Sequence, residues 1–127
     1  MLTDRLRDHE DPRVNILFVC SRNQWRSPTA ERVWRDTPGL AVRSAGTRRS
    51  ARHTVTEGDV AVWVDIVCVL EKKHRSRLTA EFAAAIAHKP IHVLDIPDES
   101  KFMDPELFDL LRDSVGAISK RYTGEHP

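Results

Sequence analysis

The strongest constraint on the fold is a loop that joins an apolar run to the start of a helical pattern. Residues 14–19 are mostly branched and apolar, which is typical of a strand buried on both faces of a parallel sheet. Residues 27–31 supply a serine that can cap a helix, a proline suited to a first helical turn, and a glutamate near the positive end of the dipole. The sequence therefore predicts a strand, a short loop that begins at Cys20, and a helix directly after it.

This loop has residues suited to binding an anion next to a nucleophile. A helix N-terminus offers unpaired backbone N–H groups and a partial positive charge, and both hold a phosphate-like anion. A thiol at such a terminus generally ionises more readily than a free thiol. Arg26 adds a planar charged group that fits two phosphoryl oxygens, and Ser27 can donate to a thiolate. We therefore predict a nucleophilic thiolate at Cys20 within an anion-binding loop.

Other interpretations of the loop are weaker. A cysteine that ends a buried strand is more often a small core residue, so Cys20 alone would be weak evidence. The spacing to Asn23, Arg26 and Ser27, in a strand-loop-helix context, favours the anion-binding interpretation. The sequence has no glycine-rich run ending in Gly-Lys-Ser or Gly-Lys-Thr and no Gly-x-Gly-x-x-Gly. Neither a nucleoside triphosphatase nor a dinucleotide-binding fold is therefore indicated.

The segment from Cys20 to Ser27 resembles the signature loop of the low-molecular-weight protein tyrosine phosphatases, in which cysteine, five residues, arginine and serine follow the first strand. Residues 27–31 are similar to that family's Ser-Pro-x-Ala-Glu, and residues 44–47 match its Ser-Ala-Gly-Thr. The resemblance covers the first third of the chain. It implies that Cys20 and Arg26 are catalytic and that the rest of the loop binds substrate: Ser21, Arg22, Asn23, Gln24, Trp25 and Ser27. In the family, the asparagine holds a left-handed conformation, which this residue tolerates well.

A phosphatase also needs an acid that protonates the leaving oxygen. The family carries this acid in an Asp-Pro dipeptide, often preceded by Ile-Pro, before the last helix. Residues 96–98 occupy the corresponding place, so the resemblance points to Asp98, although the two following residues differ from the family's proline and aromatic. Asp95 is the alternative, whereas the Asp-Pro at 104–105 has the pattern of a helix cap and first turn.

Alternating strand and helix patterns predict a three-layer α/β fold with a four-stranded, doubly wound parallel sheet, flavodoxin-like and, by the resemblance, of the phosphotyrosine protein phosphatase I type. The carboxyl ends of its strands would meet at one edge. There, Arg48, Arg49, Lys72 and Lys73 are either substrate contacts or ordinary solvated residues. The predicted strands are 14–20, 40–44, 65–70 and 91–94, and the predicted helices are 27–35, 55–63, 74–87 and 105–122.

Composition is consistent with one compact domain. The chain has 127 residues, of which 40% are hydrophobic, and we expect a single domain with a flexible 1–12 segment and a frayed 123–127 segment. A net charge of +1 indicates no general attraction to nucleic acid or membranes. No apolar run reaches the roughly 18 residues needed to span a bilayer. Two cysteines are typical of a reducing compartment, so we expect a cytoplasmic protein.

These patterns and the resemblance favour a cysteine-dependent phosphatase that needs neither metal nor cofactor. Its partners would be a phosphorylated substrate and the product, inorganic phosphate; the oligomeric state is not predicted. His88 and His92 are separated by a helix-breaking Pro90, which disfavours a metal site.

The sequence leaves more than one substrate and more than one type of function open. The family's aromatic walls after the catalytic aspartate are absent, with Trp25 and Phe102 as substitutes, so a small phosphorylated metabolite, a nucleotide or a cyclic phosphodiester is an alternative to phosphotyrosine. A non-catalytic phosphate-binding module is the alternative of another class. An arsenate reductase is disfavoured, because Cys68 lies inside a strand pattern and would be inert core.

Overall fold

A parallel four-stranded sheet forms the centre of the protein. In the computed structural model, which describes residues 13–97 and 104–123 with side chains up to residue 118, the strands are β1 (Val14–Cys20), β2 (Leu40–Gly46), β3 (Ile66–Val69) and β4 (Ile91–Val93). Their order across the sheet is β2-β1-β3-β4, and every neighbouring pair is parallel. The predicted α/β class and four-stranded parallel sheet are confirmed.

Helices follow the strands along the chain. They are α1 (Arg26–Trp34), α2 (Lys72–Glu81), α3 (Ala83–Ile86) and α4 (Pro105–Thr123), and a π-helical segment, Asp59–Trp63, lies between β2 and β3. Among the described residues, no helix has both the length and the apolar character needed to cross a membrane. The predicted flexible segment 1–12 and residues 124–127 lie outside the described residues, while Thr123 is the last residue of α4.

The alternation of side chains along β1 divides the core into two layers. Ile16, Phe18 and Cys20 belong to one apolar cluster, which also contains Leu107 and further residues of α4. Leu17 and Val19, which point to the opposite face, belong to a second cluster with residues of the π-helical segment and of α2 and α3. Because helices cover both faces, β1 is apolar and buried almost throughout. The doubly wound arrangement is therefore confirmed.

Two helices differ from the prediction. The pattern over 55–63 gives a π-helical segment of five residues, which ends with Val64 N–H donating to the carbonyl of Asp59 at 3.1 Å. The predicted helix 74–87 is broken at Phe82, whose backbone leaves the helical region at φ −128° and ψ 38°. The ring of Phe82 packs against the second core cluster. Tertiary packing at this residue thus outweighs the helix propensity of the alanines that follow it.

Backbone hydrogen bonds join the segment after β2 to the loop after β1. The N–H groups of Thr47 and Arg48 donate to the carbonyls of Cys20 and Ser21, each at 3.0 Å. A third bond, also of 3.0 Å, runs from Arg52 N–H to the carbonyl of Arg22. The two loops therefore form one structural unit at the carboxyl edge of the sheet.

Gly46 lies where these two loops meet, and a side chain there has no room. A Cβ atom would lie 2.6 Å from the carbonyl oxygen of Ser21, 2.6 Å from Ala51 Cβ and 2.9 Å from the backbone nitrogen of Asn23. We expect Gly46→Ala to lower the free energy of unfolding by about 1–3 kcal/mol, because backbone atoms must shift to accommodate the methyl group. Denaturant unfolding of the purified variant measures this loss.

Gly116→Ala is the matched control for that substitution. Gly116 is inside α4, and its nearest contact for an added Cβ is the Trp34 ring at 3.7 Å, an ordinary separation. The control should keep or raise stability by up to about 1 kcal/mol, since alanine is the better helix former. A Gly46→Ala protein as stable as the wild type would contradict the close approach of the two loops.

Candidate active site

The loop between β1 and α1 wraps around the Cys20 thiol. Cys20 is the last residue of β1, is 3% exposed, and is not part of a disulfide. Helix α1 begins at Arg26, one residue earlier than predicted, with Trp25 at its N-cap position. Ser27 is therefore inside the first turn, and the expectation that it could cap the helix is wrong. Trp25 provides no side-chain capping bond, and the first turn holds no acidic residue.

Ser27 and Asn23 form a hydrogen-bonded base under the thiol. Ser27 Oγ lies 3.0 Å from Cys20 Sγ and 3.4 Å from the carbonyl oxygen of Ala45. Asn23 has a left-handed backbone with φ 53°, and its Nδ2 donates to Ser27 Oγ at 2.9 Å. Because Asn23 donates to it, the Ser27 hydroxyl can direct its own proton to the sulfur. Ser27 thus links the Asn23 side chain to the sulfur of Cys20.

A buried arginine joins three segments of the sheet edge. Arg26 is 3% exposed, and its Nη1 donates to the Glu71 carboxylate at 2.5 Å and to the carbonyl oxygen of Ile96 at 2.7 Å. Glu71 follows β3, and Ile96 follows β4. A guanidinium this deeply buried needs such anionic and carbonyl partners, since desolvation of an unpaired charge is costly. The contacts fix the position of Arg26 beside the loop.

The ionised form of Glu71 is favoured in the folded protein. Partial burial opposes ionisation, but the hydrogen bond and charge of Arg26, together with the charge of Lys73 and a smaller contribution from His74, outweigh it and lower the pKa of Glu71. Glu71 is also the N-cap of α2: its side chain accepts from the backbone N–H of His74, and the His74 ring accepts from the backbone N–H of Glu71. One carboxylate therefore forms the ion pair with Arg26 and caps the N-terminus of α2.

His74 extends this network to the loop after the cysteine. Its Nδ1 accepts from Glu71 N–H at 3.0 Å, which places the proton of a neutral ring on Nε2. Nε2 then donates to Ser21 Oγ, 3.0 Å away. His74 is buried, so its ring has a fixed position. Because Ser21 Oγ accepts from this ring, the hydroxyl proton of Ser21 points away from His74. That proton is suited to an anion bound in the loop.

A concave cavity of about 220 Å³ opens above the loop. Trp25 is 37% exposed and is the one aromatic residue among those that line it. Arg48 and Lys73, two of the basic residues from the sequence analysis, also contribute; Arg49 and Lys72 are not among its lining residues. The full lining consists of Cys20, Ser21, Arg22, Gln24, Trp25, Arg26, Arg48 and Lys73. The described lining thus carries four cationic side chains and no acid.

Two predicted residues, Asp98 and Phe102, lie outside the described residues. Asp95 is described: it is exposed, has a left-handed backbone with φ 57°, and lines a shallow depression next to Glu71 and Lys73. The described part of the chain contains no group of three or more metal-binding side chains. Cys68 is buried in β3, and burial raises its pKa to about 12, as suits a core thiol.

Lys72 and Lys73 were predicted at this edge from the sequence, but the roles of their neighbours Glu71 and His74 were not predicted. A glutamate and a histidine three positions apart at the start of a helix have the spacing of a capping pair, and that was the available signal. The pairing of Glu71 with Arg26 joins residues 45 positions apart, and no local pattern encodes it.

Replacing Glu71 should weaken the fold in a pH-dependent way. The Glu71→Gln protein should lose roughly 1 kcal/mol at pH 7, because a buried charge loses its anionic partner while solvent at the partly exposed carboxylate limits the effect. A carboxyl with a lowered folded-state pKa stabilises the fold above its unfolded value, here 4.5, and this contribution disappears as the pH falls through the lower folded value. Unfolding of both proteins between pH 7 and acidic pH measures the difference.

Glu57→Gln is the control for this pH series. Glu57 is exposed, and the same loss of a carboxylate there should leave stability nearly unchanged at every pH. Equal stability of wild type and Glu71→Gln at pH 7, or a difference that persists undiminished at acidic pH, would contradict the role assigned to this carboxylate.

Comparison with known proteins gives matches by structure alone. Neither protein-family models nor curated proteins match the chain. Wzb from Vibrio vulnificus, solved in complex with benzylphosphonate, is similar at a TM-score of 0.69 and 23% identity, over 85% of this chain and 98% of its own. The low-molecular-weight protein tyrosine phosphatase SP-PTP from Streptococcus pyogenes is similar at a TM-score of 0.67 and 16% identity, over 86% of this chain and 93% of its own.

A third similar structure is the YwlE arginine phosphatase from Geobacillus stearothermophilus, at a TM-score of 0.62 and 19% identity over 90% of this chain and 99% of its own. These matches span nearly the full length of each protein. The chain therefore has the fold of the low-molecular-weight protein tyrosine phosphatases, as the resemblance of its first third predicts.

Proposed function

We propose that this protein is a phosphatase that hydrolyses phosphomonoesters through a covalent phosphocysteine at Cys20. The observation that carries the proposal is the thiol at the end of β1, 3.0 Å from the Ser27 hydroxyl and next to the start of α1. A nucleophile, Cys20, and a guanidinium for the phosphoryl oxygens, Arg26, line one cavity, and Ser27 contacts the thiol from beneath it. The shared fold supports the same conclusion.

In the first step, the Cys20 thiolate attacks phosphorus. A sulfur–phosphorus bond forms while the bond from phosphorus to the leaving oxygen breaks, and the carboxylic acid of Asp98 gives its proton to that oxygen. Arg26, the Ser21 hydroxyl and the loop N–H groups stabilise the charge on the transferred group. The Arg26 contacts to Glu71 and Ile96 hold its side chain at the loop before substrate binds, which reduces reorganisation during the reaction.

In the second step, water attacks the phosphocysteine. The Asp98 carboxylate takes a proton from the water, the sulfur–phosphorus bond breaks, and inorganic phosphate leaves as the Cys20 thiolate returns. Ser27 stabilises the departing thiolate through the same 3.0 Å contact. The two reaction steps conserve atoms and charge without a metal or a cofactor. They require a reduced thiol, which is consistent with a cytoplasmic location.

Two substrate classes fit this chemistry. A phosphotyrosine side chain would place its ring against Trp25, the aromatic residue of the described lining. A small phosphorylated metabolite or nucleotide is favoured by the cationic lining, in which Arg22, Arg48 and Lys73 exceed what one phosphoryl group needs. Since similar folds include both a protein tyrosine phosphatase and an arginine phosphatase, the fold does not choose between substrates.

Removal of the nucleophile tests the proposal. Cys20→Ser should lower kcat on 4-nitrophenyl phosphate to less than about one-thousandth, because the alcohol is a far weaker nucleophile. Binding of inorganic phosphate, measured by calorimetry, should remain, since the loop N–H groups and Arg26 are retained. Cys68→Ala, which removes the other thiol, should keep turnover.

Unchanged turnover in Cys20→Ser would refute the covalent mechanism. Phosphate binding without turnover by the wild type, at every pH tested, would instead favour a non-catalytic phosphate-binding module.

Substitution of the two candidate acids distinguishes them. We expect Asp98→Asn to slow the hydrolysis of phenyl phosphate by roughly 10²-fold or more, and that of 4-nitrophenyl phosphate much less. The reason is that the departure of a poor leaving group depends most on protonation. Asp95→Asn is the matched control, since asparagine also tolerates the left-handed backbone found at this residue. A leaving-group-dependent loss in Asp95→Asn alone would move the acid to Asp95.

A further inference from the structure

A second, smaller cavity adjoins the one above Cys20. It measures about 130 Å³, several times the roughly 30 Å³ that a water molecule occupies in the liquid, so it has room for an ion of several atoms. Its lining consists of Ser21, Thr47, Arg48, Lys73, His74 and Arg77. Three of these residues, Ser21, Arg48 and Lys73, also line the first cavity. A ligand held by the loop can therefore extend into the second cavity.

The second cavity is strongly cationic. Arg48, Lys73 and Arg77 are permanently charged at neutral pH, and the described lining contains no acidic residue. None of the three side chains makes a hydrogen bond or an ion pair with another described residue. The nearby Glu71 carboxylate is bonded to Arg26 and to the start of α2. Lys73 is close enough to Glu71 for their charges to interact, whereas Arg48 and Arg77 have no charged partner among the described residues. Within the described part of the chain, the cavity therefore keeps a net attraction for an anion.

Rigid backbone positions place these cations around the cavity. Arg48 N–H donates to the carbonyl of Ser21, and the Arg48 carbonyl accepts from Ala51 N–H and from Thr54 Oγ1. Lys73 and Arg77 are four positions apart in α2 and so lie on one face of that helix. The three cations therefore come from a hydrogen-bonded turn and a helix.

Helix stability does not explain the placement of Lys73, or of a second cation four residues after it, in α2. Lys73 is in the first turn, where the helix dipole disfavours positive charge, and Arg77 is a like-charged neighbour at the spacing that destabilises a helix. A bound dianion would remove both penalties. Polar groups complete the cavity wall, because the Thr47 and Ser21 hydroxyls and the buried His74 ring also line it.

We infer that the second cavity binds another phosphate of the substrate, so that the preferred substrates are small molecules with two phosphate groups. The inference rests on the proposed function for the identity of the first phosphate, which the loop from Cys20 to Ser27 holds. Arg48 and Lys73 lie between the two cavities and contact both phosphates, whereas Arg77 contacts the second phosphate alone. Arg77 is therefore the residue that reports on the second subsite.

Equilibrium binding to the Cys20→Ser protein tests the inference without requiring turnover. Calorimetry at about 0.1 M salt compares matched ligands: fructose 1,6-bisphosphate with fructose 6-phosphate, adenosine 3′,5′-bisphosphate with AMP, and pyrophosphate with phosphate. At least one bisphosphate should bind tenfold or more tightly than its partner. In Arg77→Gln on the same background, this ratio should fall close to one.

Arg75→Gln is the matched control, because Arg75 is an exposed arginine of the same helix that does not line either cavity. It should keep the binding ratio. Ratios near one for every pair in the unsubstituted background, an unchanged preference in Arg77→Gln, or equal losses in Arg75→Gln and Arg77→Gln would overturn the inference. An Arg77-dependent gain found only for a phosphotyrosine peptide with acidic flanks would also overturn it, in favour of a protein substrate.

Turnover of 4-nitrophenyl phosphate by the wild type is measured separately. Failure of that assay with an intact bisphosphate preference would refute the phosphatase proposal and leave the second subsite supported. Turnover with no bisphosphate preference would support the phosphatase proposal and refute the second subsite. The two conclusions are therefore tested independently.

Discussion

The buried charge of Arg26 is the constraint on which the arrangement of the sheet edge depends. Its guanidinium is almost entirely shielded from water, and it is bonded to a carboxylate that follows β3 and a carbonyl that follows β4. Removing one partner from a buried ion pair generally costs several kcal/mol, although the partial exposure of Glu71 moderates this here. These contacts join the ends of β1, β3 and β4, which are neighbours in the sheet. They also position Arg26, which holds phosphoryl oxygens in the proposed reaction.

The remaining parts of the site depend on close backbone packing around the loop. Gly46 lets the end of β2 approach Ser21 and Asn23, and the left-handed Asn23 directs its amide to Ser27. Ser27 then contacts the thiol. Each step needs a particular residue type: no side chain at Gly46, tolerance of positive φ at Asn23, and a hydroxyl at Ser27. The surroundings of the Cys20 thiol thus depend on the requirements of the backbone as well as on side-chain hydrogen bonds.

Local patterns predicted the parts of the fold that depend on local physics. Residues 14–20 form the expected strand with the same bounds, because an uninterrupted apolar run has few other stable environments. The strand order β2-β1-β3-β4 was not predicted, because periodicity does not show which strands are neighbours in the sheet. The break at Phe82 and the π-helical segment were missed, since both arise from packing against the second core cluster. Within the site, the loop residues were predicted from their spacing and from the family resemblance, while the ion pair of Glu71 with Arg26 depends on contacts distant in sequence.

In the proposed mechanism, the sulfur of Cys20 carries the phosphoryl group during turnover. The most direct measurement is acid quenching of the enzyme during hydrolysis of 4-nitrophenyl phosphate, followed by mass spectrometry of its peptides. The account predicts one phosphoryl group on the peptide that contains Cys20, formed at a rate at least as fast as kcat, and none on the peptide that contains Cys68. Turnover with no phosphoryl group on Cys20, or with the group on another residue, would contradict it.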